Sequence, residues 1–298
     1  PGTEFEYATI NYDVLGAVIE TVSGMSYENY LTKNILTPLG MNHTYVGRPS
    51  DSSAMSNGYK IGFFSAHEYK APVYRGNTPA GYIISNANDM VRWLKVQTGQ
   101  EENSFTPLVQ ESHKPDHSVT LNQATLGAYG MGWFSYMNGT GVLDHQGLNP
   151  NFTAYIGFSP KEKLGVAVLA NSNSTATSWI GQYILGVLRG EELASLNIPG
   201  DEVDKGSAVV ALMTGIFILC IIAFYISIPL DIIKGRRRFE GLGFKKISRW
   251  FLALCMYVPF LYGIYLLPKA MNGVTWDTAL TFGPSSFQVM IILLVASM

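Results

Sequence analysis

His145 stands in "VLDHQGLNPNF", residues 142 to 152, a short polar interruption between apolar residues with Gly147 two positions on. A histidine side chain changes charge near neutral pH and can pass or hold a proton there. A glycine within a strand lets another backbone or a ligand approach closely. Tyr7, in "EFEYATINY", is the second candidate. A phenol has a pKa of about 10, so it works as a base at neutral pH only where nearby positive charge favours the phenolate. Taken singly, each residue is also a type that cores and surfaces use without chemistry.

Other candidates are weaker. "HKPDH" spaces His113 and His117 like a zinc pair, but Pro115 between them opposes the helix that would align both, and no metal is expected. Ser85 in "IISNAND" and Ser159 in "GFSPKEK" fit turns or helix caps better than nucleophiles. Tyr129, Trp133 and Phe134 read as sheet packing.

The elements that must position Tyr7 and His145 are legible in the pattern. "NYDVLGAVIETVSG" puts Val14, Leu15, Val18, Ile19 and Val22 on one helical face, with Gly24 as the stop. "SYENYLTKNILTPLG" is a second helix with Ser26 as N-cap, and "NANDMVRWLKVQTG" a third, running from an Asn cap to Gly99. Between 129 and 170 the period changes to short runs separated by "MNGT", "LNP" and "PKEK", which predicts an antiparallel meander. "ATSWIGQYILGVLRG" returns to helix. The fold class expected is α+β, helices packed on an antiparallel sheet.

The rest of the chain differs in kind. Hydrophobic residues make up 47% and charged residues 14% of the 298, and the apolar excess lies beyond residue 207. Ala208 to Leu230 carries no charge and is long enough to cross a bilayer core of about 30 Å. A second apolar stretch runs from Trp250 to Leu267 with Pro259 inside it, and a third begins near Phe287. Lys234, Arg236, Arg237, Arg238, Lys245, Lys246 and Arg249 lie between the first two, placing that loop in the cytoplasm and the N-terminal domain outside it. No ionisable side chain sits deep in either complete stretch, so the helices read as an anchor rather than a path for ions. Cys220 and Cys255 both fall in apolar runs, and a net charge of -2 gives no reason to expect nucleic acid. The organisation expected is a domain over 1–190, a polar linker over 191–207 and a membrane region over 208–298. Both ends read as cut: the chain opens without Met or signal peptide and closes inside "FQVMIILLVASM".

Five landmarks in order carry a resemblance: "PGTEFEYATINYDVLGAVIETVSGMSYENYL" with "LTPLGM", then "TPAGYIISNANDMVRWL", "YGMGW", "DHQG" and "GVAVLANSN". The chain resembles the serine β-lactamase-related family over roughly residues 1 to 190. That family holds class C β-lactamases, D-alanyl-D-alanine carboxypeptidases and related esterases, built around Ser-x-x-Lys, Tyr-x-Asn and a Lys-Thr-Gly or His-x-Gly strand. The resemblance implies a β-lactamase/transpeptidase-like domain and acyl transfer, which needs an activated hydroxyl, a proton carrier and donors for the oxyanion. It assigns Tyr7 as proton carrier and places His145 on an edge strand facing the cleft. Thr9, Gln146, Gly147 and Leu148 become substrate-binding positions, the Leu148 N–H forming half of the oxyanion hole.

Two departures stand out. "YAT" puts Thr9 where the family has Asn, and a hydroxyl cannot donate and accept through separate atoms as an amide does. No lysine of this chain has a serine three residues before it, so the nucleophile is expected outside these residues, N-terminal to the tyrosine segment. The leading expectation is a membrane-anchored, extracytoplasmic serine hydrolase of D-alanyl wall peptides or related amides and esters. A carboxylesterase or β-lactamase on the same scaffold, and a binding or sensory domain that has lost the chemistry, are the alternatives. The expected partners are a small-molecule or peptidoglycan-peptide substrate and the lipid bilayer, with no cofactor and no obligate protein partner.

Overall fold

In the computed structural model the described residues are 5–115, 127–136, 140–192, 199–238, 241 and 243–297. The chain divides into two units, residues 1–59 with 68–200, and residues 60–67 with 201–298.

The first unit opens with α1 (Ile10–Ser23) and α2 (Tyr27–Leu31), the latter running on into a π-helical turn, Thr32–Leu36. Gly24 ends α1 in the left-handed conformation (φ 67°), and the Ser26 side chain accepts from Asn29 N–H to start α2, as expected of both. A two-residue strand β1 (Tyr45–Val46) follows, then the hairpin β2 (Tyr59–Gly62) and β3 (Ser65–Glu68), whose tip half belongs to the second unit. Next come α3 (Thr78–Gly81), β4 (Ile83–Ile84) paired antiparallel with β1, α4 (Ala87–Gln97) and α5 (Thr106–Ser112). Asn86 caps α4 by accepting from Asp89 N–H, and the Asp89 carboxylate in turn holds the Thr44 hydroxyl and His43 N–H.

The expected meander is a five-stranded antiparallel sheet in chain order: β5 (Gly127–Gly130), β6 (Trp133–Tyr136), β7 (Leu143–Asn149), β8 (Phe152–Ser159) and β9 (Leu164–Ala170). Helix α6 (Ala176–Leu188) packs back on β8 and β9. The core gathers Leu94, Leu143 and Phe158 with Trp133, and beside it Val142, Val166 and Leu185. Tyr155 is the pin between sheet and helix. It is 2% exposed, its hydroxyl donates to Asp144 Oδ2 at 3.1 Å, and its ring occupies the space that glycines leave at 157 and 181.

The apolar face of α1 is uncovered among the described residues: Val14, Leu15, Val18 and Val22 are exposed, and the buried residue of the helix is Gly16, against which the Pro79 ring packs. Periodicity identifies an apolar face but carries no information on which neighbour covers it.

The second unit contains α7 (Glu202–Ile233), α8 (Phe244–Asn272), α9 (Trp276–Phe282), α10 (Ser285–Ala296) and the hairpin tip. Among the described residues α7 is the one helix long and apolar enough to cross a membrane. It begins at Glu202 rather than Ala208, so residues expected in a polar linker form its first turns instead. Hydropathy marks where lipid is tolerated and does not fix where the helix begins. Ala211 of α7 is buried against Phe287 and Met290 of α10.

Gly181→Ala would place a Cβ 2.0 Å from Cδ1 of Tyr155. Helix propensity favours alanine by about 1 kcal/mol, while overpacking a buried ring costs about 1–3 kcal/mol. The variant is expected to unfold at lower urea concentration, followed by near-UV circular dichroism. A midpoint equal to or above the parent's would show that Tyr155 is not held there.

Candidate active site

The register of β7 positions the site. Leu143 and Asp144 pair with β6 on one side, and all seven residues of β7 pair with β8 on the other. The strand is therefore third in the sheet and not an edge strand, which corrects that expectation. Among the described residues its second half, from His145 to Asn149, is laddered to β8 alone, which leaves its other side without a paired strand.

His145 is held by two hydrogen bonds. Nδ1 lies 2.7 Å from the carbonyl oxygen of Gln146, which can only accept, so Nδ1 carries the ring proton. Nε2 is then the acceptor of the neutral ring, and the Tyr129 hydroxyl lies 3.4 Å from it. The Tyr129 oxygen is in turn 2.9 Å from that of Tyr12. Either hydroxyl of the Tyr12–Tyr129 pair can donate to the other, and Nε2 can accept from the Tyr129 hydroxyl.

Aromatic rings surround this chain of bonds. Around His145 the ring centroids of Phe134, Tyr129 and Tyr7 lie at 5.5, 5.9 and 6.0 Å, and Phe5 packs against Tyr129 at 5.5 Å. The apolar surroundings set the charge states. Burial pushes the His145 pKa below the ordinary histidine value, partly offset by the Gln146 carbonyl, which favours the protonated ring. Burial raises the Tyr7 phenol above its ordinary value, and the Tyr12 phenol adds to this. Tyr129 is raised further, by burial first and then by its bond with Tyr12. Each of these shifts favours the neutral form of its group. The use of Tyr7 as a base requires a cation placed beside it.

Of the predicted site residues the structure brings Tyr7 and His145 together, with Gln146, Gly147 and Leu148 following on the same strand. Leu148 is exposed, and Gln146 Oε1 accepts from the Ser178 hydroxyl at 2.9 Å. A Cβ at Gly147 would meet nothing closer than the Ala154 methyl at 3.5 Å, an ordinary contact. The fold itself does not need a glycine there, which leaves room for a ligand as its use. Thr9 sits at the entry to α1, exposed, with no capping bond from its side chain.

Tyr129 and Phe134 pack on the sheet as expected; they also lie beside His145, with Tyr12 bonded to Tyr129, a meeting without a signal in the sequence. Tyr129 pairs across the strands with Phe134, a register visible only once the sheet is formed. Trp133 does pack in the core, edge-on to Phe158. Ser159 is buried and accepts from Glu162 N–H, closing a turn, and Ser85 bonds Thr44. His113 bonds Gln97, while His117 lies outside the described residues. Among the described residues no group of three metal-ligating side chains occurs.

A beta-lactamase family model matches residues 1–188. "Protein flp" of Staphylococcus aureus (strain N315) is 30% identical over 98% of this chain and 58% of its own length. The chain thus spans less than two thirds of that curated relative. Among solved structures, the octameric penicillin-binding protein homologue from Pyrococcus abyssi superposes with a TM-score of 0.56 at 31% identity, covering 64% of this chain and 44% of that one. The beta-lactamase/D-alanine carboxypeptidase from Pseudomonas syringae gives a TM-score of 0.53 at 17% identity, covering 65% and 61%. The second likeness is one of fold.

Tyr129→Phe removes the proton donated to Nε2, a bond that favours the neutral ring. The His145 pKa should rise towards the ordinary value, read from the imidazole proton shifts in an NMR titration. The sign for stability follows: a histidine depressed in the folded state contributes stability that is present above the unfolded pKa of about 6.5 and lost as pH falls through the folded one. The variant should therefore lose less stability than the parent as pH falls below 6.5. An unchanged His145 titration would show that the 3.4 Å contact carries no proton.

Proposed function

As the chain belongs to the beta-lactamase family, we propose that it is part of a membrane-anchored serine hydrolase working by acyl-enzyme chemistry on D-alanyl peptides of the cell wall or related amides and esters. The observation that carries this reading is the meeting of Tyr7 with His145 beside the half of β7 that pairs, among the described residues, with β8 alone, where Gly147 leaves space the fold does not use. In this reading the serine and lysine come from outside residues 1–298, since no serine here precedes a lysine by three positions. The lysine ammonium would supply what the aromatic cluster lacks, a positive charge that lowers the Tyr7 phenol into the range of a base. In its neutral form His145, oriented by Gln146 and Tyr129, would accept from the phenol through Nε2, and a substrate carboxylate would take a hydrogen bond only from the protonated ring. Leu148 N–H would serve the oxyanion, and Thr9 would hold the substrate amide less firmly than an asparagine. Slow turnover and weak penicillin hydrolysis follow from that.

The domain organisation expected from the sequence, 1–190, 191–207 and 208–298, belongs to the same reading, with the linker's last residues absorbed into α7. We place α7 across the bilayer and α8 as a second crossing, with Lys234 and Arg236–Arg238 on the cytoplasmic side and the hydrolase domain outside. A second reading, ligand binding without turnover, is favoured by one observation: Thr9 stands where the related motif carries Asn.

Two experiments test the proposal. In the full-length protein Tyr7→Phe keeps the ring packing and removes the hydroxyl, so kcat on D-alanyl peptides or small esters should fall about 100- to 10,000-fold with stability unchanged. His145→Ala should weaken binding of substrates that end in a carboxylate, and His145→Lys should favour them. A Tyr7→Phe enzyme as fast as the parent on every substrate sinks the catalytic assignment. For topology, in a background with Cys220 and Cys255 replaced by alanine, an impermeant thiol reagent should reach Lys161→Cys on intact cells. It should reach Gly241→Cys only after lysis, and the reverse pattern would invert the protein.

A further inference from the structure

The turn joining β2 to β3 is Phe63-Phe64, with φ of 52° and 63°. Two-residue hairpin turns with both central residues at positive φ strongly favour Asn-Gly, because bulky side chains are strained there. Two phenylalanines are the opposite choice, and burial does not account for them: Phe63 is 42% and Phe64 68% exposed.

The strained tip is held by a carboxylate. Asp204, in the first turn of α7 and 2% exposed, accepts from Phe63 N–H through Oδ1 and from Phe64 N–H through Oδ2, each at 2.8 Å. The Ser286 hydroxyl of α10 donates to Oδ1 at 2.5 Å. At the hairpin's base Lys60 Nζ donates to the Leu280 carbonyl of α9 at 2.8 Å. Gly62 lets the strand pass Ser285, whose Cβ would be 2.7 Å from a Cβ at that position. Three helices of the second unit thus grip residues 60–64 and leave two rings facing outward.

Their level along α7 says what they meet. Asp204 precedes Ala208, where the apolar run begins, by about 6 Å of helix, and the polar headgroup layer outside the hydrocarbon is about 5–7 Å deep. Trp and Tyr concentrate at that depth, and Phe lies on the apolar faces of helices seated at the same boundary. We propose that the Phe63-Phe64 tip is a membrane-interface anchor, its rings seated among lipid headgroups where the span of α7 begins. The proposal rests on the reading of α7 as a membrane span.

The test uses the full-length protein lacking Cys220 and Cys255, with a nitrobenzoxadiazole fluorophore on Phe64→Cys or Leu219→Cys, in phosphatidylcholine–phosphatidylglycerol vesicles. The probe at 64 should lose fluorescence to lipids carrying a doxyl group near the headgroup, more than to lipids carrying it at mid-chain, and resist aqueous iodide. The probe at 219 should show the opposite depth preference. Lipid quenching at 219 with only iodide quenching at 64 overturns the anchor and spares the span. Iodide quenching at both positions overturns both. Adding Asp204→Ala should move the probe at 64 from lipid to iodide quenching, and a probe still quenched by lipid would overturn the role given to the carboxylate.

Discussion

The first unit depends on the buried hydrogen bond from Tyr155 to Asp144. It joins β8 to β7 at the residue preceding His145, and the tyrosine ring fits only because positions 157 and 181 carry no Cβ. Side chains alternate across a sheet, so slipping β7 by one residue would move His145 to the opposite face. A polar pair buried this deeply is costly to leave unmade, which makes the register selective. What places the imidazole beside Tyr7 and Tyr129 is therefore two residues and two glycines that have no part in the chemistry.

The site around that histidine is a study in neutral groups. Burial acts in opposite directions on an acid and a base: it raises phenols and lowers imidazoles, and both shifts remove charge. The row of hydroxyls from Tyr12 through Tyr129 satisfies the ring nitrogen without ionising anything. Such a cluster is responsive. A cation brought beside Tyr7 has little local charge to compete with, and in apolar surroundings its effect is larger than it would be in water.

In the second unit the same physics serves a structural end. Asp204 is a buried carboxylate, and its position is tolerable because two backbone N–H groups and a hydroxyl converge on it. The bonds are local in space yet join residues 63, 64, 204 and 286, so one side chain organises the ends of two helices and a hairpin drawn from far along the chain.

Much of this was legible in the residues. Ser26, Asn86 and Gly24 marked helix ends because caps are satisfied by neighbours a few positions away, and the "LNP" and "PKEK" breaks marked the meander because turns are equally local. The resemblance carried by their ordered motifs led to the expectation that Tyr7 and His145 lie together, and their rings do. The sequence by itself determined element types, the order of the strands and the uncharged length of α7. Tertiary structure alone decided that β7 is internal, that Tyr129 and Phe134 ring the histidine, and that the helical face of Val14 and Val18 is uncovered by the described residues. It also decided that residues 60–67 pack with helices more than a hundred positions later. Periodicity and capping are properties of a chain segment, whereas register, coverage and charge state depend on which segments meet, and no local pattern encodes that.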